Sequence, residues 1–250
     1  MSNNFLNNIP KVTRHLIIIN LIVWVASLFA EHVMSFDLSK FLGLHFVTSP
    51  DFNPAQIITY MFMHDTSGIS HIFFNMFSLF MFGRLLEQVM GQKKFLFYYM
   101  STGIGAALVQ LAVIYFQISD VQSFMNAEQI SIVYKQGCDV LSAGMNYTDP
   151  QMAVLNATLN GVTVGASGAI FGILLAFGMI FPNLPLYLFF IPIPIKAKYM
   201  VIGYGLIELL FGVSGAVSGV AHFAHLGGMI FGLFMILYWR KKGAIGGRYY

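Results

Sequence analysis

Ser167 stands in the stretch GVTVGASGAIFG, residues 161 to 172, the one serine among four glycines and two alanines in strongly apolar surroundings. Such a serine has two readings. It can be a small residue at a close helix contact, bonded to its own backbone. It can also be a nucleophile, which is weak at its free pKa and needs an adjacent base. Histidine suits that task because its pKa lies near neutral. His222 and His225 in AHFAHLGG and His71 in HIFFN are the candidates, and Asn75 follows His71 by one helical turn. Acyl transfer also needs donors aimed at the oxyanion of the tetrahedral intermediate. Backbone N–H groups around Gly165 and Ser167, the His71 ring and the Asn75 amide are of that kind. No carboxylate is well placed for a triad: Glu208 falls nearer mid-membrane and Glu87 at a membrane edge. The HFAH histidines are three apart, but the sequence puts no third ligand near them, so no metal site is expected.

These residues must be positioned by a membrane fold. The chain has 250 residues, of which 57% are hydrophobic and 9% charged. Soluble domains carry about 25% charged residues, so this is an integral membrane protein built as one helical domain. The net charge of +3 and the short basic tracts argue against nucleic acid as a partner. Cys138 is the single cysteine, which excludes an internal disulfide. Spanning helices need about 20 mostly apolar residues. Six segments qualify: about 15–34, 64–83, 95–117, 161–181, 199–213 and 220–239, the fifth being short. The first has a basic lead-in but too long an apolar run for a signal peptide and no small-x-small site before Glu31, so it reads as an uncleaved helix.

Charge fixes the orientation. Eleven of the 13 basic residues fall on one face of a six-span arrangement; only Lys40 and Lys135 fall on the other. The positive-inside rule puts the basic face and both termini in the cytoplasm. Residues 1–14 are then a cytoplasmic lead, 15–239 the membrane domain and 240–250 a basic tail. Two external segments remain. Residues 35–63 mix apolar and polar groups, as an interfacial element would. Residues 118–160 are polar and carry the triplets NYT and NAT, which matter only in a glycosylating host.

Depth follows from the rise of about 1.5 Å per residue. Counted from the inner ends of their spans, Ser167, His225 and His71 lie roughly 9, 7 and 10 Å below the external edge, with Asn75 a turn deeper. Polar groups at such depth are costly and usually have a task. Gly168/Gly172 and Gly228/Gly232 are small residues at four-residue spacing, which let spans four and six approach closely. At about 100° per residue, His225 lies roughly 20° from Gly232 and 60° from Gly228, against roughly 80° and 120° for His222. His225 is therefore the expected base of a Ser–His dyad.

The sequence resembles the rhomboid family of intramembrane serine proteases. HIFFN looks like the family's H-x-x-x-N, GASG like its G-x-S, and HLGGMIFG like its H-x-x-G-x-x-x-G, in that order along the chain. The resemblance covers about residues 10–242. It implies a six-helix bundle in a cell (inner) membrane that cuts transmembrane protein substrates near the external or periplasmic side. It implies Ser167 as nucleophile, His225 as base, His71, Asn75 and the Ser167 N–H as oxyanion helpers, and no cofactor. There are two departures. The family's frequent Trp-Arg pair is replaced by Ala55-Gln56, which puts a lipid-anchoring role for that loop in doubt. A tyrosine that some members stack on the histidine is Phe171 here, which keeps the ring. Two other readings stand beside this one: a catalytically inactive client-binding relative, which would usually lack the serine or histidine, and a small transporter using Glu208, which would want two similar halves.

Overall fold

The computed structural model describes residues 8–187, 193–215 and 220–245. The remaining residues of the expected lead and tail, Arg248 included, lie outside the described residues.

Helix α1 (Lys11–Met34) follows Pro10, which offers no side-chain cap. A distant carboxylate caps it instead. Glu87 accepts the N–H groups of Val12 and Thr13 at 2.9 and 2.7 Å and the Thr13 hydroxyl at 2.8 Å. Anions stabilise the positive end of a helix, so buried Glu87 has a structural task. The segment after α1 contains only short helical turns, α2 (Ser39–Leu42), α3 (Gln56–Thr59) and a 3₁₀ turn over Tyr60–Phe62.

The second span runs from Ser70 to Met90 as α4 (Ser70–Ser78), one widened turn (Leu79–Gly83) and α5 (Arg84–Met90). It was expected over 64–83. Its start is delayed because the Asp65 carboxylate accepts both the N–H and the hydroxyl of Ser67, a local turn that competes with a helix. Its end is set by Gly91, at φ +79°.

Helix α6 (Gln92–Gln122) is the central rod, and its 31 residues make it about 46 Å long. It outruns a bilayer core of about 30 Å. The polar segment 118–160 is helical here: α6 continues into it, followed by α7 (Ala127–Ser142) and α8 (Pro150–Asn160). Asn126 and Gln129 form a capping box on α7, and Asp149 caps α8 ahead of Pro150. Phe46, Ile114, Ile118, Val133, Leu155 and Leu159 give this region its own small core.

The fourth apolar helix, α9 (Ser167–Ile180), has 14 residues, about 21 Å, and starts six residues later than expected. Residues 161–166 are not helical. Thr163 exchanges both backbone bonds with Leu44 at 2.9 Å, and the Gly165 N–H donates to Tyr60 O at 3.0 Å. Irregular backbone inside a membrane protein is tolerated when protein groups satisfy it in this way. A two-residue ribbon, β1 (Pro185–Leu186) with β2 (Ile195–Lys196), precedes α10 (Ala197–Ser214), and α11 (His222–Lys241) completes the fold.

Helices α6, α9 and α11 form the core. A carbon added at Gly228 would collide with the backbone carbonyl of Gly168, and one at Gly232 with the Tyr98 hydroxyl. One added at Gly168 would stand 2.5 Å from Ala106 Cβ, and one at Gly172 2.7 Å from Thr102. The expected seam therefore joins three helices: Gly228 faces α9, while Gly168 and Gly172 face α6. The Tyr98 hydroxyl donates to Gly172 O at 2.7 Å across it. Among the described residues, five helices are long and apolar enough to cross a membrane, with α9 as a shorter apolar one. Apolar side chains such as Ile22, Phe97, Phe116, Leu210 and Phe234 point outward. This is a multi-pass integral membrane protein. Helix α10 is its least enclosed member, with its buried residues confined to Ala197, Met200 and Val201.

Candidate active site

Ser167 is the first residue of α9, not a residue within a longer helix. Gly165 makes that possible. Its φ of +130° lies where side chains are rarely accommodated, and it turns the extended segment into the helix. The first N–H groups of α9 have no acceptor within the helix, and the helix dipole makes this end positive. His71 is likewise in the first turn of α4 and His225 in the first turn of α11. The three side chains expected at one depth thus come together because three helix starts meet, not because three spans are counted to equal length.

His225 Nε2 lies 2.8 Å from Ser167 Oγ. The Phe171 ring, one turn along α9, stacks on the His225 ring with centroids 4.2 Å apart and planes 7° from parallel. The ring retained at that position does the expected stacking. His71 approaches from the other side. A carbon added at Gly165 would lie 3.0 Å from His71 Nε2 and 3.4 Å from Ser167 Oγ, so both groups border the same small space. The Asn75 amide nitrogen donates to the His71 carbonyl at 2.8 Å, within α4. Gly168, Gly172, Gly228 and Gly232 lie in the packing seam beneath the site.

Two cavities meet here. One, of about 720 Å³, is bordered by polar groups including Glu31, His64, Asp65 and Gln110. The other, of about 750 Å³, is mostly apolar and lies between α4 and α10, with Phe74, Phe171, Met200 and Tyr204 in its walls. Ser167 and His71 line both.

One neighbour of the dyad is not placed by the sequence. Glu208 was expected nearer mid-membrane, with no carboxylate near the dyad. Its Oε2 lies 2.6 Å from His222 Nδ1 and 3.0 Å from His225 Nδ1. Helix α10 ends at Ser214, so Glu208 stands six residues, about 9 Å, from that end, close to the level of His225. An acidic residue in a span wants a partner, which was the available signal. Glu208, His222 and His225 also form the one histidine–carboxylate group among the described residues with ligand atoms within 4.8 Å of one another. Donors around one tetrahedral zinc stand about 3.3 Å apart. The shorter 2.6 and 3.0 Å separations fit direct pairing of the carboxylate with the rings.

Gln56, where the Trp-Arg pair was missed, is buried and knits the 35–63 segment. Its amide donates to Phe41 O at 3.1 Å and Asp51 O at 2.8 Å, and its carbonyl accepts the His45 N–H at 3.2 Å.

Fold and site define a helical membrane protein with a serine–histidine pair among its spanning helices. A family model, the Rhomboid domain, matches residues 52–242, and the chain belongs to the rhomboid family. Members of that family are generally intramembrane serine proteases that act on transmembrane substrates. No curated protein matches the chain.

Proposed function

We propose that the protein is an intramembrane serine endopeptidase that hydrolyses peptide bonds in or near transmembrane segments of other membrane proteins. Ser167 is its nucleophile and His225 its general base. The observation that carries this is the 2.8 Å contact between His225 Nε2 and Ser167 Oγ, made at the start of a helix.

In the mechanism, His225 Nε2 takes the Ser167 proton as Oγ bonds to the substrate carbonyl carbon. The oxyanion that forms is met by the Ser167 N–H, the His71 Nε2–H and the Asn75 amide, the last through the hydrogen not given to the His71 carbonyl. His225 then protonates the leaving amine, and water drawn through the polar cavity hydrolyses the acyl-enzyme by the reverse relay. The apolar cavity between α4 and α10 suits an unwound stretch of a substrate's membrane segment. The loosely enclosed α10 is the element a substrate would displace.

The proposed architecture has six spans, counting short α9, with both termini cytoplasmic and the site opening toward the external side. The basic skew supports it: 11 of 13 Lys and Arg residues share one face. The transporter reading takes Glu208 as its substrate or proton residue, whereas here that carboxylate contacts His222 and His225.

Labelling by a serine-directed fluorophosphonate, wild type against Ser167→Ala, tests the reading, together with cleavage of a transmembrane substrate in liposomes. Both are expected to vanish in the mutant. A folded Ser167→Ala protein that still cleaves would overturn it.

A further inference from the structure

Glu208 is an acidic residue of a spanning helix, α10, that the Ser–His mechanism does not use. It is largely enclosed, with a side-chain exposure of 13%. Its Oε2 contacts two imidazoles, and the nitrogen it faces on His225 is Nδ1, the one turned away from Ser167. Nδ1 of His225 is buried and has no aligned hydrogen-bond acceptor. The carboxylate stands 3.0 Å from it but off the N–H axis, a close polar contact rather than a formed hydrogen bond. Resting active sites often show such loose geometry, which tightens when charge develops.

We infer that Glu208 is a positioning residue for His225, so that the site works as a Ser167–His225–Glu208 relay. The inference rests on the Ser–His reading above and extends it. A carboxylate at Nδ1 keeps the ring proton there, which leaves Nε2 as the acceptor that Ser167 needs. As the Ser167 proton moves to Nε2 and Oγ bonds to the carbonyl carbon, the ring becomes an imidazolium. The Nδ1 proton stays on His225, Glu208 stays ionised, and its charge stabilises the cation. His222 has a different part. Its Nδ1, 2.6 Å from the same oxygen, anchors the carboxylate from one turn away on α11. His71 on α4 is the third titratable group facing His225, across Ser167, and it carries no compensating negative charge.

Helix α9 holds His225 by the Phe171 ring on its flank and by Ser167 at Nε2, while α10, which also packs on α11, brings Glu208 to Nδ1.

The test compares Glu208→Gln and Glu208→Asp with wild type in the full-length protein, using a transmembrane substrate in liposomes. Active sites are counted with the fluorophosphonate, so that partial misfolding does not enter the rate. Glu208→Gln is expected to lower kcat per active site at least about 10-fold with KM unchanged, and Glu208→Asp to recover most of that loss. The ¹⁵N shifts of the His225 ring in wild type should report the neutral tautomer protonated on Nδ1, and Glu208→Gln should mix the tautomers. A Glu208→Gln enzyme within two-fold of wild type overturns the inference. So does a loss that aspartate does not recover with the tautomer unchanged, because that is packing. If Glu208→Gln does not fold, the wild-type tautomer decides: a proton on Nε2 overturns the inference. Activity surviving in Ser167→Ala would instead bring down the Ser–His reading itself.

Discussion

The backbone N–H of Asp65 donates to Nδ1 of His71 at 3.3 Å. A neutral imidazole that accepts at Nδ1 carries its proton on Nε2. Nε2 is the nitrogen that borders Gly165 and Ser167. The loop ahead of α4 thus sets His71 as a donor toward the nucleophile. Trp24 Nε1 holds that loop through the Asp65 carbonyl at 3.1 Å, which ties the donor to α1.

His71→Ala and Asn75→Ala are therefore expected to lower kcat more than they raise KM, because oxyanion donors act mainly in the transition state. A loss of about 100-fold, or roughly 2.7 kcal/mol, is the scale for one donor. The losses need not add, since the donors share one oxygen. Steady-state kinetics on folded variants checks this, and unchanged turnover in Asn75→Ala would remove that residue from the site.

Replacement of the two histidines of HFAH separates their tasks. His225 touches Ser167, and His222 touches Glu208. His225→Ala is expected to abolish cleavage and probe labelling, whereas His222→Ala keeps at least about a tenth of wild-type turnover, since orientation survives in part. A dead His222→Ala beside an active His225→Ala, both folded, would refute the assignment.

Gly228→Val tests the seam. The Gly168 carbonyl occupies the space a side chain would need, and it belongs to backbone, which cannot rotate away. Helices α9 and α11 must then separate, which shifts His225 from Ser167. Both the melting temperature and cleavage should fall, with an overpacking cost of about 1–3 kcal/mol or more. Normal melting with normal cleavage would show that the seam yields without strain.

Cys138, the only thiol, reports the side on which residues 118–160 lie. Burial pushes its pKa up, and the contact of its Sγ with Asp51 Oδ2 at 3.1 Å adds to this. Less thiolate is then present near neutral pH, so maleimide labelling should be slow at pH 7 and rise about tenfold per pH unit below the thiol's pKa. Asp51→Asn should quicken it. An impermeant maleimide is expected to reach Cys138 from outside intact cells at pH 8 and above. Labelling only after the membranes are opened, at the rate found in detergent, would reverse the topology.

Several features were legible in the chain itself. Few charges and long apolar runs define a membrane protein whatever its tertiary contacts, because a bilayer leaves helices few alternatives. The glycine spacing around Ser167 and after His225 marked the close helix contact, since only small residues allow it. Helical angle also picked His225 over His222.

Other features depended on contacts between distant residues. The chain reads as helical from 161, yet α9 starts at Ser167, because Leu44 and Tyr60, more than 100 residues earlier, take the backbone bonds of Thr163 and Gly165. Nothing local to 161–166 records those partners. The polar composition of 118–160 marked it as outside the bilayer, but its helices rest on a small core shared with Phe46. Glu208 was visible as an acid in an apolar helix, while its partner was not, because the relative shift of two neighbouring helices is fixed by packing rather than by residue count. The sequence by itself determined which residue types could do the chemistry and that helices would carry them. Only the tertiary structure brought three helix starts and one carboxylate to the same point, through backbone bonds and side-chain contacts between elements far apart in the chain.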